Sequence, residues 1–363
     1  MEILIVYNPN AGRGKVRRAA DRLAGALHRC AKNSSAPTVT LFNASSLEVM
    51  HDFWKENIGN PKRFEAVVLV GGDGTIGPNI DAMIKNNLDI PIYVYGRGTA
   101  NDFSGYFKTN CGARRAARAI LARQTTNVDT MKITNLNDNI ILTPDANTDK
   151  TTFAINVAGG GAFTNGVTSY NKKSKRIFGR FAYLFKAFFS AFTLESQRIQ
   201  VVVGDPCFGP ILEKAFGYSK VQKAEVKTQN PSNTEISFFA DSFIFYILNT
   251  KSVGSVKNAA NLADPTDGLF DFVCVKHCNF FGKFSIAFSK LFNRLYKNKH
   301  VIYIQGKNFR VEPVGDQTIH NFTLTDIDGN PGTPYPLNVS VGPKICLIVR
   351  ETPKSQQENN LPL

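Results

Sequence analysis

At 363 residues the chain is long enough for two ordinary domains. Its 43% hydrophobic and 20% charged residues exclude a disordered chain. Lys and Arg outnumber Asp and Glu by 43 to 29, a formal charge of +14, which favours anionic partners: nucleic acid, nucleotide or an acidic membrane surface.

The first apolar run, Ile3-Leu4-Ile5-Val6, lacks a basic leader. It reads as a strand over Glu2 to Tyr7 rather than a signal peptide. It ends in Asn8-Pro9-Asn10-Ala11-Gly12-Arg13-Gly14-Lys15, and helical spacing of Ala20, Leu23, Ala24 and Leu27 follows. The loop resembles a phosphate loop but has neither a GK[ST] ending nor GxGxxG spacing. Val39 to Phe42 is a second strand, and Ser46 to Trp54 a helix capped by Ser46. The short, β-branched run Ala66 to Val70 reads as a strand buried on both faces, as in a parallel sheet. It breaks into Gly71-Gly72-Asp73-Gly74-Thr75 before a helix to about Lys85. Ile90 to Tyr95 is a further strand, leading into Gly96-Arg97-Gly98-Thr99-Ala100-Asn101-Asp102-Phe103. Gly112 to Arg123 is an alanine-rich basic helix. This alternation predicts a doubly wound α/β domain over residues 1–127. Ligands in such sheets sit outside the strands' carboxyl ends, where all three glycine-bearing loops fall.

Glycines let the backbone approach a ligand, and successive amides in such a turn form an anion-binding nest. The following helix adds partial positive charge at its N-terminus. Asp73 is the odd member, because an acid does not hold a phosphate directly. It reads as a metal partner, as a proton acceptor for a substrate hydroxyl, or simply as a helix N-cap.

From about Asn127 short alternating runs predict a mostly antiparallel β-sandwich over 128–350. The runs are Asp129–Ile133, Asn139–Leu142, Phe153–Val157, Ile199–Val203, Glu235–Phe238, Phe243–Leu248, Phe270–Val275, His300–Gln305, Asn308–Val311, Phe322–Asp326 and Leu337–Val349. The longest apolar run, Phe243–Leu248, is far too short to span a bilayer. Lys214 to Thr234 reads as an exposed insertion, and 351–363 as a polar tail. Two helical stretches, about 170–192 and 280–299, are basic and rich in Phe. In the second, Phe284, Phe288, Leu291 and Leu295 share a face. Each suits an anionic membrane interface, or a core-facing helix with a solvated basic side. The six cysteines, Cys30, Cys111, Cys207, Cys274, Cys278 and Cys346, form no CxxC pair and read as reduced thiols of a cytosolic protein.

With these loops in family order, the chain resembles the diacylglycerol kinase catalytic family of lipid kinases, which includes sphingosine and ceramide kinases. It is most similar to the bacterial soluble members. The motifs are Asn8-Pro9-Asn10-Ala11-Gly12, Gly71 to Thr75, Gly98-Thr99-Ala100-Asn101-Asp102-Phe103, Asn156-Val157-Ala158-Gly159, Asp264-Pro265-Thr266-Asp267-Gly268-Leu269-Phe270-Asp271, and Asp328-Gly329. The resemblance implies a nucleotide-binding α/β domain, a β-sandwich domain and an active site between them. It implies ATP on Asn8 to Gly12, Gly71 to Thr75, Thr99, Asn101 and Asp102. It also implies Mg²⁺ on Asp264, Asp267 and the Leu269 carbonyl, oxygen donors that suit this ion. The alternative for that loop is a solvated turn.

Three departures stand out. Asn330 occupies the place of the family's Glu after the late Asp-Gly, and an amide cannot take up a proton, which leaves Asp328 or Asp73 to substitute. Gly77-Pro78 replaces the usual Asn-Glu; Pro78 is expected in the first helical turn. Gly96 stands where the family often has Pro. The resulting expectation is an ATP- and Mg²⁺-dependent lipid kinase, cytoplasmic and peripheral on an anionic membrane, with no nucleic-acid partner. Whether it is a monomer or a homodimer stays open. The alternatives are a catalytically impaired nucleotide- or lipid-binding protein and a soluble kinase of the NAD kinase type.

Overall fold

The computed structural model describes residues 1–11, 14–31, 36–56, 63–135, 150–161, 196–206, 225–230, 233–254, 256–279, 281–282, 285–286, 289, 294–315, 325–333 and 335–350. The chain divides into two units, Met1–Thr130 with Pro343–Leu363, and Met131–Gly342.

The first unit runs β1 (Glu2–Tyr7), α1 (Val16–Cys30), β2 (Thr38–Asn43), α2 (Leu47–Glu56), β3 (Ala66–Gly71), α3 (Asp73–Lys85), β4 (Ile92–Gly96), α4 (Asp102–Tyr106), α5 (Ala113–Ala122) and β5 (Thr125–Val128). Strands β2, β1, β3 and β4 lie side by side in that order, all parallel. β3 is buried along its whole length, as expected of an inner strand with both faces covered. α1 buries Val16, Ala20, Leu23 and Leu27, one apolar residue every three or four, in a cluster shared with α5. Ser46 caps α2 as expected, its Oγ accepting the Val49 amide at 3.2 Å.

α3 begins at Asp73, so Pro78 lies in its second turn, not in the first turn that the sequence suggests. There the ring removes the bond that would reach the Gly74 carbonyl. Gly74 is exposed, so water can satisfy that group. The next carbonyl, that of Thr75, accepts Asn79 Nδ2 at 2.8 Å. Asn79 Oδ1 in turn accepts the indole N–H of Trp54 at 3.0 Å, and both side chains are buried. One amide thus joins α2 to the start of α3.

The second unit contains β6 (Met131–Thr134), β7 (Thr151–Ala154), β8 (Val157–Gly161), β9 (Gln197–Gly204), β10 (Glu225–Asn230), β11 (Asn233–Leu248), β12 (Phe270–Lys276), β13 (Val301–Gly306), β14 (Asn308–Pro313), β15 (Asp326–Ile327), β16 (Asn330–Pro331) and β17 (Leu337–Val341). They form one antiparallel sheet of 12 strands. Phe272 on β12 stacks on Phe309 on β14 with centroids 5.9 Å apart, although these strands are not neighbours. The sheet therefore folds back over a shared core.

Several expected strands are corrected. Glu235–Phe238 and Phe243–Leu248 belong to one strand, β11, whose register shifts between Ser242 and Ile244. Ile236, Phe238 and Ala240 face the core before the shift, and Phe245 and Ile247 after it. A bulge exchanges even for odd positions, which disguises a single strand as two. Phe153–Val157 is the reverse case: it divides between β7 and β8. Part of the expected insertion, Glu225–Asn230, is a strand paired with β11. Leu337–Val349 is broken by Gly342-Pro343. Its second half, β18 (Ile345–Ile348), joins the first unit's sheet, parallel to β4 and antiparallel to β5. Beside it the buried carboxylate of Asp129 meets Lys344 Nζ at 3.0 Å.

Within the expected helix 280–299, residues 281–282, 285–286 and 289 are helical, and Leu295–Lys297 forms a 3-10 turn. Leu295 and Ile286 pack on the second unit, consistent with a core-facing side. The stretch 170–192, the strand Asn139–Leu142, the tail 351–363 and Cys207 lie outside the described residues; the other five cysteines are free thiols. No helix among the described residues is long and apolar enough to cross a membrane.

Replacing Asn79 with Leu strands the buried Trp54 N–H and is expected to lower stability by about 1–3 kcal/mol. Urea unfolding measures the loss, and Trp54→Phe in the same background is expected to recover part of it.

Candidate active site

Because β1, β3 and β4 are parallel neighbours, the loops after them leave the sheet at one edge. Tyr7 pairs with Val70, and Gly71 with Gly96, so the three strands end at the same level. The second and third loops then interlock. The Arg97 amide donates to the Gly71 carbonyl at 2.6 Å. A Cβ on Gly72 would stand 2.8 Å from the Gly98 Cα, and one on Gly98 would collide with the Gly72 Cα. The two turns thus touch backbone to backbone, which requires glycine on both sides. Asn101 closes the third loop from a left-handed conformation, φ +54°. Its Oδ1 accepts the Gly98 amide at 2.6 Å and its Nδ2 donates to the Gly98 carbonyl at 2.9 Å.

Asp73 reaches across this junction. Its carboxylate accepts the amides of Asp102 at 3.2 Å and Phe103 at 3.4 Å. It therefore caps α4 rather than its own helix, and no side chain caps α3. Burial pushes the Asp73 carboxyl above its ordinary range, while those two amides pull the other way. Thr99 is exposed at the loop surface, Asp102 is buried, and Gly74 and Thr75 open α3.

In the first loop Asn8 Oδ1 accepts the Asn10 amide at 2.9 Å, and the Asn8 carbonyl accepts the Ala11 amide at 3.1 Å. Asn10 Nδ2 reaches the Ser45 carbonyl at 3.3 Å, and Pro9 lies within the same turn. Gly12 lies outside the described residues. The structure thus brings the first unit's candidate residues, Gly12 aside, to one sheet edge. Sequence reasoning gave no role to Arg97. Its guanidinium lies 3.6 Å from the Tyr95 ring centroid and donates to the Gly96 carbonyl at 2.7 Å and the Cys111 carbonyl at 2.5 Å. Its only signal was its place in a glycine-dense loop.

The remaining candidates belong to the second unit. Asp328 is buried at φ +51°. Its Oδ2 accepts the Ile155 amide and its Oδ1 those of Asn156 and Val157, each at 2.9 Å. The carboxylate holds the turn between β7 and β8. Asn330 lies two residues on, in β16.

Asp264 and Asp267 form a turn of the kind the sequence offered as the alternative to a metal loop. Asp264 Oδ1 accepts the Thr266 amide at 3.1 Å and hydroxyl at 2.7 Å, and Asp267 Oδ1 accepts the Leu269 amide at 2.8 Å. Nearby, Asp271 is fully buried. Its Oδ1 accepts the Tyr303 hydroxyl, while its Oδ2 has no hydrogen bond of good geometry. Burial, with a smaller contribution from the charge of Asp267, pushes the Asp271 carboxyl up to about 7. Among the described residues no three His, Cys, Asp or Glu side chains converge on a point. The carboxylates of Asp264 and Asp267 and the Leu269 carbonyl are hard oxygen donors, the chemical type that Mg²⁺ takes.

Comparison with known proteins is consistent with this geometry. Residues 2–133 match the diacylglycerol kinase catalytic domain. A putative lipid kinase of Staphylococcus carnosus (strain TM300) is 24% identical over 220 residues, 61% of this chain and 57% of that protein. One from Staphylococcus aureus (strain bovine RF122 / ET3-1) is 26% identical over 123 residues, 34% of this chain and 35% of its own. The chain thus spans little more than half of the first relative and about a third of the second. Among solved structures, a putative diacylglycerol kinase from Bacillus anthracis str. Sterne aligns over 96% of this chain and 95% of its own, with a TM-score of 0.64 at 15% identity. A diacylglycerol kinase from the same strain aligns over 96% of both chains with a TM-score of 0.57 at 13% identity. At such identity the likeness is one of fold: a mixed α/β part followed by a large antiparallel sheet. The part of the chain that carries the interlocked glycine turns, residues 2–133, is thus similar to the diacylglycerol kinase catalytic domain.

Proposed function

We propose that the protein is an ATP-dependent lipid kinase that phosphorylates a lipid hydroxyl, of diacylglycerol or sphingoid type, at a membrane surface. The observation that carries this reading is the junction of Gly72 on Gly98 with Asp73 drawn across it. Phosphoryl transfer asks mainly for positioning and charge stabilisation. Gly72 and Gly74 carry no side chain and no side chain caps α3, which leaves its helix dipole open to a phosphate. ATP would supply the phosphoryl group, with Mg²⁺ neutralising its charge. Asp264, Asp267 and the Leu269 carbonyl are the residues we assign to a structural Mg²⁺ of the second unit. Asn8 to Ala11, Thr99, Asn101 and Asp102 line the same sheet edge and would bound the nucleotide. Asp73 fixes the third loop against the second and is the carboxylate nearest the junction, so we assign it the catalytic acid–base or metal-linked role.

One observation favours a second reading, a nucleotide- and lipid-binding protein of low turnover. Asp328 is committed to three amides and Asn330 is an amide, so neither is a ready proton acceptor at this turn.

With γ-labelled ATP and a total lipid extract, label is expected in lipid for the wild type and not for Asp73→Asn; equal labelling by both removes Asp73 from the mechanism. Gly72→Ala forces a methyl against the Gly98 backbone, an overpacking cost of about 1–3 kcal/mol. Nucleotide affinity by titration calorimetry is therefore expected to fall roughly tenfold, since 1.4 kcal/mol corresponds to that factor. If the second reading holds, the wild type binds ATP but transfers no label, and Asn330→Glu brings transfer back.

A further inference from the structure

The second unit carries an uncompensated basic stretch. No Asp or Glu occurs between Asp271 and Glu312, a span with eight Lys or Arg. Part of it folds as an excursion fastened at its base. The Lys276 amide donates to the His300 carbonyl at 2.9 Å, and the His277 amide to the Asp241 carbonyl at 3.0 Å. The buried side chain of Asn298 donates to Ser285 Oγ at 3.1 Å and Ser289 Oγ at 2.7 Å. Gly282 is pressed inward: a Cβ there would stand 2.7 Å from Cys278 Cβ and 3.1 Å from His300 Nε2. Its neighbour Phe281 is held outside at 80% exposure, the most exposed large apolar side chain among the described residues. Arg294, Lys297 and Lys299 are exposed on the return limb, and the charges of Lys299 and Lys276 both bear on His300. An exposed aromatic ring on a basic excursion whose lysines have no ion pair among the described residues is a poor feature for a surface in water alone. It matches the interface of an anionic bilayer, where the ring enters the acyl boundary and the cations meet lipid phosphates.

We propose that Phe281, with the basic residues Lys276, Lys297, Lys299 and His300 of the same excursion, is the point at which the second unit docks on an anionic lipid surface. This rests on the membrane-surface reading above and names the part of the chain that makes the contact. The basic charge selects an anionic surface, and the exposed ring favours a bilayer over an acidic protein partner because a bilayer has an acyl layer for it to enter.

Vesicles of equal parts phosphatidylcholine and phosphatidylglycerol test it by co-sedimentation. The wild type is expected to bind these and not pure phosphatidylcholine. Phe281→Ser and, separately, the pair Lys297→Gln with Lys299→Gln are each expected to weaken binding about fivefold or more, with thermal unfolding unchanged. Phe281→Trp is expected to retain binding and to shift its added emission to the blue on mixing with vesicles. If the wild type binds and Phe281→Ser binds equally, or the new tryptophan does not shift, the assignment of this tip fails while membrane action stands. If the wild type ignores anionic vesicles altogether, membrane action itself fails, and the tip with it.

Discussion

The approach of Gly72 to Gly98 is the constraint on which the geometry of the first unit's loops depends. Two turns can meet main chain to main chain only if neither carries a Cβ at the contact. They reach that contact only if β3 and β4 are adjacent, parallel and in register, with Gly71 opposite Gly96. That register in turn depends on strands apolar on both faces, buried beneath helices. A local glycine pattern and a global sheet order therefore specify one feature between them. The result is a stretch of amide-bearing backbone at the strand ends with few side chains to shield it, the surface a polyphosphate needs.

The acids of the chain show a second regularity. Asp73, Asp328, Asp264 and Asp267 all accept backbone amides that open or close a turn. A carboxylate is well suited to this, since it has several lone-pair sites and each bond to it is charge-assisted. The roles differ in what else each acid can do. Asp328 gives both oxygens to three amides at 2.9 Å and is buried, so it holds backbone. Asp73 makes longer bonds, 3.2 and 3.4 Å, in a site whose burial disfavours its charge. A carboxylate held loosely and kept reluctant to ionise retains capacity for a proton or a cation, and it is the one beside the glycine junction.

Much of the first unit was legible because parallel strands buried on both sides are continuous apolar runs, and β3 and β4 end in glycine. Ala66 to Val70 and the runs either side of it needed no tertiary information. The second unit was legible as a class but not strand by strand. Asp241-Ser242 is polar and looks like a turn, yet β11 passes through it with a bulge, which only its partners on both sides can sustain. Pro78 was misplaced because its position follows from where α3 starts, and α3 starts immediately after Gly72. The reach of Asp73 to Asp102 and Phe103 spans about thirty residues of sequence. No local rule contains it, since it depends on β3 and β4 being neighbours. Asp271 and Asn79 escaped for the same reason: each is defined by a partner far along the chain, Tyr303 and Trp54.

The position of β18 bears on what counts as the first folded body. The family match ends at residue 133, but the first sheet does not, because β18 lies between β4 and β5. Without Ile345–Ile348, β4 would present a bare edge and β5 would have no partner in this sheet. Asp129, fully buried, would also lose the Lys344 ammonium 3.0 Å away, leaving a buried carboxylate without its ion pair. The chain leaves this sheet after β5, builds the whole antiparallel unit, and returns to fill the gap. The strand that carries the third glycine loop, β4, therefore rests on residues more than two hundred positions away. The recognisable motif is thus shorter than the folded body that gives it its shape.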